Sequence, residues 1–126
     1  MTAESEEALA EVALADAPPG AVIIGLSIAR DERRGATLTF LPGANYLMDD
    51  VFEFVDGSWQ NREGGSGGPG INWTGDDVGV LRFSGEAPDG VQTAVVKYSG
   101  VEHRVPVRHG HFLFVSWTRP SRTIPN

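Results

Sequence analysis

The sequence predicts an all-β protein, an antiparallel β-sandwich or small barrel of seven to eight short strands behind a short N-terminal helix or disordered leader. Three observations carry this prediction. Residues 91–117, VQTAVVKYSGVEHRVPVRHGHFLFVSW, hold Ser99-Gly100 and His109-Gly110 between runs rich in Val, Tyr, Phe and Trp. Each dipeptide places Gly where a two-residue hairpin needs positive φ. Asp56-Gly57 repeats the signal between residues 51–55 and 58–62. Finally, Gly, Pro and Asp punctuate the chain at intervals of about 8–12 residues, with no crossover helices to support a parallel sheet.

The 126 residues suit one domain with a single core, preceded by a leader over 1–20 and followed by an extended tail over 119–126. Cysteine is absent, which excludes disulfides and thiolate metal sites. There is no apolar run of about 18 residues for a membrane-spanning helix. Acids stand where a signal peptide needs a basic and then an apolar segment, so the chain as written reads as cytoplasmic; a mature secreted domain would have the same appearance. The net charge of -7 is uneven: Glu4, Glu6, Glu7, Glu11 and Asp16 precede any base. From Val101 onward Glu102 is the single acid, against Arg104, Arg108, Arg119, Arg122 and all three histidines. This balance, with no dense basic patch, argues against nucleic acid as a partner.

Taken in order, residues 3–15 are good helix formers with early glutamates, and Pro18-Pro19-Gly20 ends them. Their apolar stripe is narrow, so the segment is either a docked helix or a frayed leader. Over 21–30, Val22, Ile24, Leu26 and Ile28 alternate with smaller residues, predicting a strand with one large face toward the core. A charged loop at 31–35 then turns the chain into a strand over 36–41, with Leu38 and Phe40 on one side. In the 51–62 hairpin Phe54 is expected opposite Trp59, with Phe52 and Phe54 on one face. Residues 64–70, GGSGGPG, have no side chain to anchor them and read as a mobile surface loop. A strand is expected over 78–84, followed by a three-stranded meander. There, Tyr98 should face Val101, Lys97 face Glu102, Val96 face His103, Val95 face Arg104 and Ala94 face Val105. Ala94, Val96, Val101, Val105, Val107, Phe112 and Phe114 form its apolar side. Pro106 cannot donate to a ladder, which leaves its strand open at that point.

His103, His109 and His111 do not form a metal site in this register, since His103 and His111 fall roughly 17 Å apart. His109 belongs to the turn, His111 is expected at the surface, and His103 is expected half-buried against Ser116. Asp49-Asp50 and Asp76-Asp77 are acid pairs near turns without the spacing of a calcium loop. There is no nucleophile elbow, phosphate loop, HExxH or CxxC, so no catalytic residue and no cofactor is expected. The candidate contact set is Tyr46, Trp59, Asn72 and Trp73, aromatic and polar residues near the Gly-rich stretch, together with Arg104 and Arg108 on the solvated face of the meander. The acidic leader is placed to fold back over those two arginines.

Within residues 86–115, Pro88, Asp89, Gly90, Val91, Tyr98, Val105, Pro106, Val107 and Phe112 follow a PDGV start, a V-x-V-x-Y strand, a VPV strand and a Phe-containing strand. This stretch, about a quarter of the chain, resembles immunoglobulin-like β-sandwich proteins of high-GC bacteria. The resemblance implies an immunoglobulin-like sandwich and no activity. The expected function is a non-catalytic binding module that recognises a protein through a sheet edge or the Trp-containing loops. A carbohydrate-binding or carbohydrate-active domain using the same aromatics is the alternative. A structural subunit of a larger assembly is a further one.

Overall fold

The fold is all-β and antiparallel, with one helix. A computed structural model describes residues 3–44, 46–67, 72–74 and 80–117, and their side chains except at 3–4, 63–67, 72–74 and 80. Helix α1 spans Ala3–Ala15. The described strands are β1 Val22–Ile28, β2 Arg34–Leu41, β3 Tyr46–Val55, β4 Ser58–Gly67, β5 Asn72–Thr74, β6 Val80–Glu86, β7 Thr93–Tyr98, β8 Val101–Pro106 and β9 His111–Trp117. They make a four-stranded sheet β1-β2-β3-β4, a three-stranded sheet β5-β6-β9 and the hairpin β7-β8.

The first sheet is covered on both faces, which explains why residues 34–40 of β2 are all buried. On one face Ile28, Phe52 and Trp59 receive Leu9 and Ala13 of α1. On the other, Ile24, Leu38, Phe40 and Leu47 pack on Leu113 of β9. The leader is thus a docked helix: Leu9 is 0 % exposed, and a methyl at Gly35 would stand 2.5 Å from Leu9 Cδ2. A 13-residue helix is marginal alone, so this docking is what holds it.

β1 does not present one large face. Its register with β2 shifts between Ile23 and Gly25. Val22 and Ile24 therefore pack toward the second sheet, and Ile23, Leu26 and Ile28 toward the helix. An inserted residue reverses the alternation beyond it. Just past the bulge, a Cβ on Gly25 would lie 2.5 Å from Leu113 Cβ, so only Gly allows the sheets to approach here.

All three Gly-containing turns form as expected. Asp56 and Gly57, Ser99 and Gly100, and His109 and Gly110 each take positive φ at both positions. Phe54 pairs with Trp59, and the five cross-strand pairs predicted between β7 and β8 are all present. The meander, however, stops at two strands. Arg108 and His111 exchange both backbone bonds, at 2.8 and 3.0 Å, but the next outward amide back along β8 belongs to Pro106 and does not exist. β9 pairs instead with β6, from Val80↔Trp117 to Glu86↔His111. Phe112 and Phe114 still join Ala94, Val96, Tyr98, Val105 and Val107, by packing face to face rather than by a ladder.

Four residues of the Gly-rich stretch are strand rather than loop. Gly64, Gly65, Ser66 and Gly67 pair with Asp50, Asp49, Met48 and Leu47. A ladder needs only backbone groups, and the ten-residue β3 offers an edge long enough to hold them. Residues 68–70 lie outside the described residues, as do Asp76 and Asp77 and the tail 118–126.

Candidate functional site

Like β4, β5, β7 and β9, strands β1 and β8 each have a ladder partner on one side only among the described residues. The other edges of β1 and β8 face a common groove of about 500 Å³, lined by Leu26 and Ser27, by Glu102 to Pro106, and by Leu113, Phe114 and Val115 of β9. The direction of the β8 backbone groups follows from one bond. Val107 N–H donates to the Gln92 carbonyl at 3.0 Å, so odd-numbered residues of β8 bond toward β7. Glu102, Arg104 and Pro106 therefore aim their backbone groups away from it. All three are exposed. Val101, at the start of the strand, is 54 % exposed although its cross-strand partner Tyr98 packs into the hairpin core.

Beyond Pro106 a second cleft opens, between Glu6, Glu7 and Ala10 of α1, residues 23–26 of β1, and Pro106 and Arg108. The acidic helix and Arg108 thus share one cleft, while Arg104 stands on the groove farther along β8.

The remaining candidates scatter. Tyr46 is exposed at the start of β3. Trp59 is 6 % exposed in the core beneath α1 and meets Phe54 edge-on at 5.1 Å, so its indole offers no surface platform. An isolated Trp beside a turn has no sequence mark that separates plug from platform. Asn72 and Trp73 lie in β5 opposite Ser84 and Phe83, and their side chains fall outside the described ones.

Polar residues also line the space between the two larger sheets. Arg82, 2 % exposed, donates from Nη1 to Asp49 Oδ1 at 2.8 Å. The Arg34 guanidinium lies 5.0 Å from the centre of the Trp117 ring, and Trp117 Nε1 donates to Ser27 Oγ at 3.0 Å. His111 is buried rather than exposed: its ring is 4.7 Å from Phe40, and Nδ1 donates to the His109 carbonyl at 2.8 Å. Sheet-on-sheet packing turns that side chain inward once β9 joins β6. His103 is half-buried against Phe114, at 4.9 Å, and not against Ser116. Among the described residues no three His, Asp or Glu come together as a metal site.

On the opposite face, burial pushes the Asp50 carboxyl above the usual carboxylate range, and Asp16 adds to this. The Asn61 hydrogen bond, at 3.1 Å, and the Arg82 charge oppose it. Asp50 therefore holds its proton more readily in the folded chain than in the unfolded one. Its contribution to stability is fully present below the unfolded value, about pH 4, and is lost as pH rises through the higher folded value. Asp50→Asn is expected to raise Tm by a few degrees at pH 7 and to flatten the rise in Tm on acidification toward pH 5. Thermal melts across that range check it; an unchanged pH profile would refute it.

No family model matches the chain, and no match was found among curated proteins or solved structures.

Proposed function

We propose that the chain is a non-catalytic interaction module that recognises a protein by pairing backbone to backbone along β8. The observation that supports this is the exposed edge of Glu102 and Arg104, without a ladder partner among the described residues, beside the Leu113–Val115 side of the groove. Main-chain hydrogen bonds give such an edge affinity, and alternate side chains give it selectivity. Natural sheets usually blunt edges with charge and proline. Here Glu102, Arg104 and Pro106 meet that description, yet they leave two consecutive outward amides usable.

Arg104→Pro tests the reading, because proline is tolerated where the N–H faces solvent and removes one docking donor. A protein retained from native extract should be identified, purified and rebound. Binding should protect the amides of Glu102 and Arg104 from hydrogen exchange and should fall at least about tenfold with Arg104→Pro, while circular dichroism stays unchanged. Binding that survives Arg104→Pro but disappears with Trp73→Ala would overturn the edge reading in favour of the aromatic loops.

A further inference from the structure

We infer that the partner read by β8 is a second copy of the same chain, paired antiparallel about a two-fold axis at His103. This rests on the reading of β8 as a docking edge and names its occupant. Three features of the strand agree independently on one register.

The first is charge. With His103 opposite His103 of the second copy, Glu102 of each chain faces Arg104 of the other. Two cross-strand ion pairs of opposite sign result. Centring on Val101 would forfeit both, and centring on Val105 would exchange them for Glu102–Arg108 pairs while setting Arg104 opposite Pro106, which has no N–H, and using Arg108, whose backbone is already bonded to His111. Both side chains are exposed in the single chain and free to turn to the partner. Glu102 also has Lys97 as its neighbour across the hairpin, which places the acid between two bases.

The second is backbone direction. An antiparallel pair exchanges both hydrogen bonds only between residues whose N–H and C=O point at each other. The Val107-to-Gln92 bond fixes Glu102 and Arg104 as the outward-pointing residues of β8. Those are the residues the charge register makes opposite. His103, whose backbone bonds belong to β7, falls on the axis, where an unbonded pair is required. Pro106, which lacks an N–H, lies opposite turn residue Gly100 and so interrupts no strand bond.

The third is apolar cover. In the same register Val101 meets Val105 of the second copy as a close, unbonded pair on the packed side of the hairpin. Val101 is 54 % exposed, among the most exposed of the large hydrophobic residues, and this contact buries it. The product is a continuous four-stranded sheet, β7-β8 followed by β8-β7 of the second copy.

Sedimentation velocity of the full chain across micromolar to millimolar concentration should show a mass rising toward twice the monomer. Glu102→Arg sets arginine against arginine at both contacts, and Arg104→Glu sets glutamate against glutamate. Each variant alone should weaken self-association at least about tenfold. An equimolar mixture of the two restores opposite charges at both contacts and should recover it. That rescue also shows both variants are folded. Wild-type chain that stays monomeric at millimolar concentration overturns the inference, as does a dimer indifferent to both substitutions or a mixture that fails to recover. If the chain is monomeric but another protein still binds in an Arg104→Pro-sensitive way, the edge reading stands and only the second copy is lost.

Discussion

Leu9→Ala is expected to lower the stability of the whole protein by about 2–5 kcal/mol, although the residue lies in a segment with a narrow apolar stripe. Leu9 is completely buried among Ala13, Ile28, Phe52 and Trp59, and it fills the hollow left by Gly35. Truncation would remove its transfer free energy and leave a cavity against a β-sheet that cannot close up. The change should appear as a lower urea midpoint for the sheet as well as the helix. Trp59, whose indole is covered by the same residues, should emit at longer wavelength as the helix loosens. A midpoint within experimental error of wild type would mean that α1 is not docked in solution.

Asp49→Ala should be comparably damaging, about 3 kcal/mol, for a different reason. Asp49 anchors a guanidinium that is 2 % exposed between two sheets, and removing the carboxylate leaves much of a buried charge without its counterion. The upper end of the range for buried pairs does not apply, because the Asp49 side chain keeps 18 % of its surface in water. Arg82→Met, of similar shape and without charge, should be milder than Asp49→Ala, and the double substitution milder than Asp49→Ala alone. Urea denaturation of the three variants checks this order. If Arg82→Met proves the worst of them, the guanidinium stabilises through its hydrogen bonds more than its burial costs.

What the sequence made legible was local. Asp56-Gly57, Ser99-Gly100 and His109-Gly110 each encode a turn in two residues, and the register of β7 with β8 follows by counting outward from one of them. The openness of β8 was also legible, because a missing N–H at Pro106 is a covalent fact. The bulge at Ile24 was not, since one inserted residue leaves the hydrophobic spelling of β1 nearly unchanged while exchanging its faces. Nor was the departure of β9 to β6, which depends on a ladder partner 37 residues away at Val80↔Trp117, farther than any turn signal reaches. Glycines 64, 65 and 67 misled for the opposite reason: their composition suggests freedom, but β3 supplies the backbone bonds. Of the candidate contacts, Arg104 and Arg108 lie on the grooves because hairpin alternation placed them outward. Trp59 lies in the core because α1 packs over it, and the sequence did not show this because that helix is far away along the chain.

The sequential order of the first sheet bears on how the chain is made. By residue 67 every strand of β1-β2-β3-β4 has been made, and each pairs with its immediate neighbour in the chain, so this ladder can close once β4 emerges and before β9 is available. The helix that covers one face is already present. The other face, with Ile24, Leu38, Phe40 and Leu47, has no cover until Leu113 of β9 arrives. A nascent or prematurely ended chain therefore displays a paired but half-naked sheet, the kind of surface to which chaperones bind and on which unfinished chains coalesce.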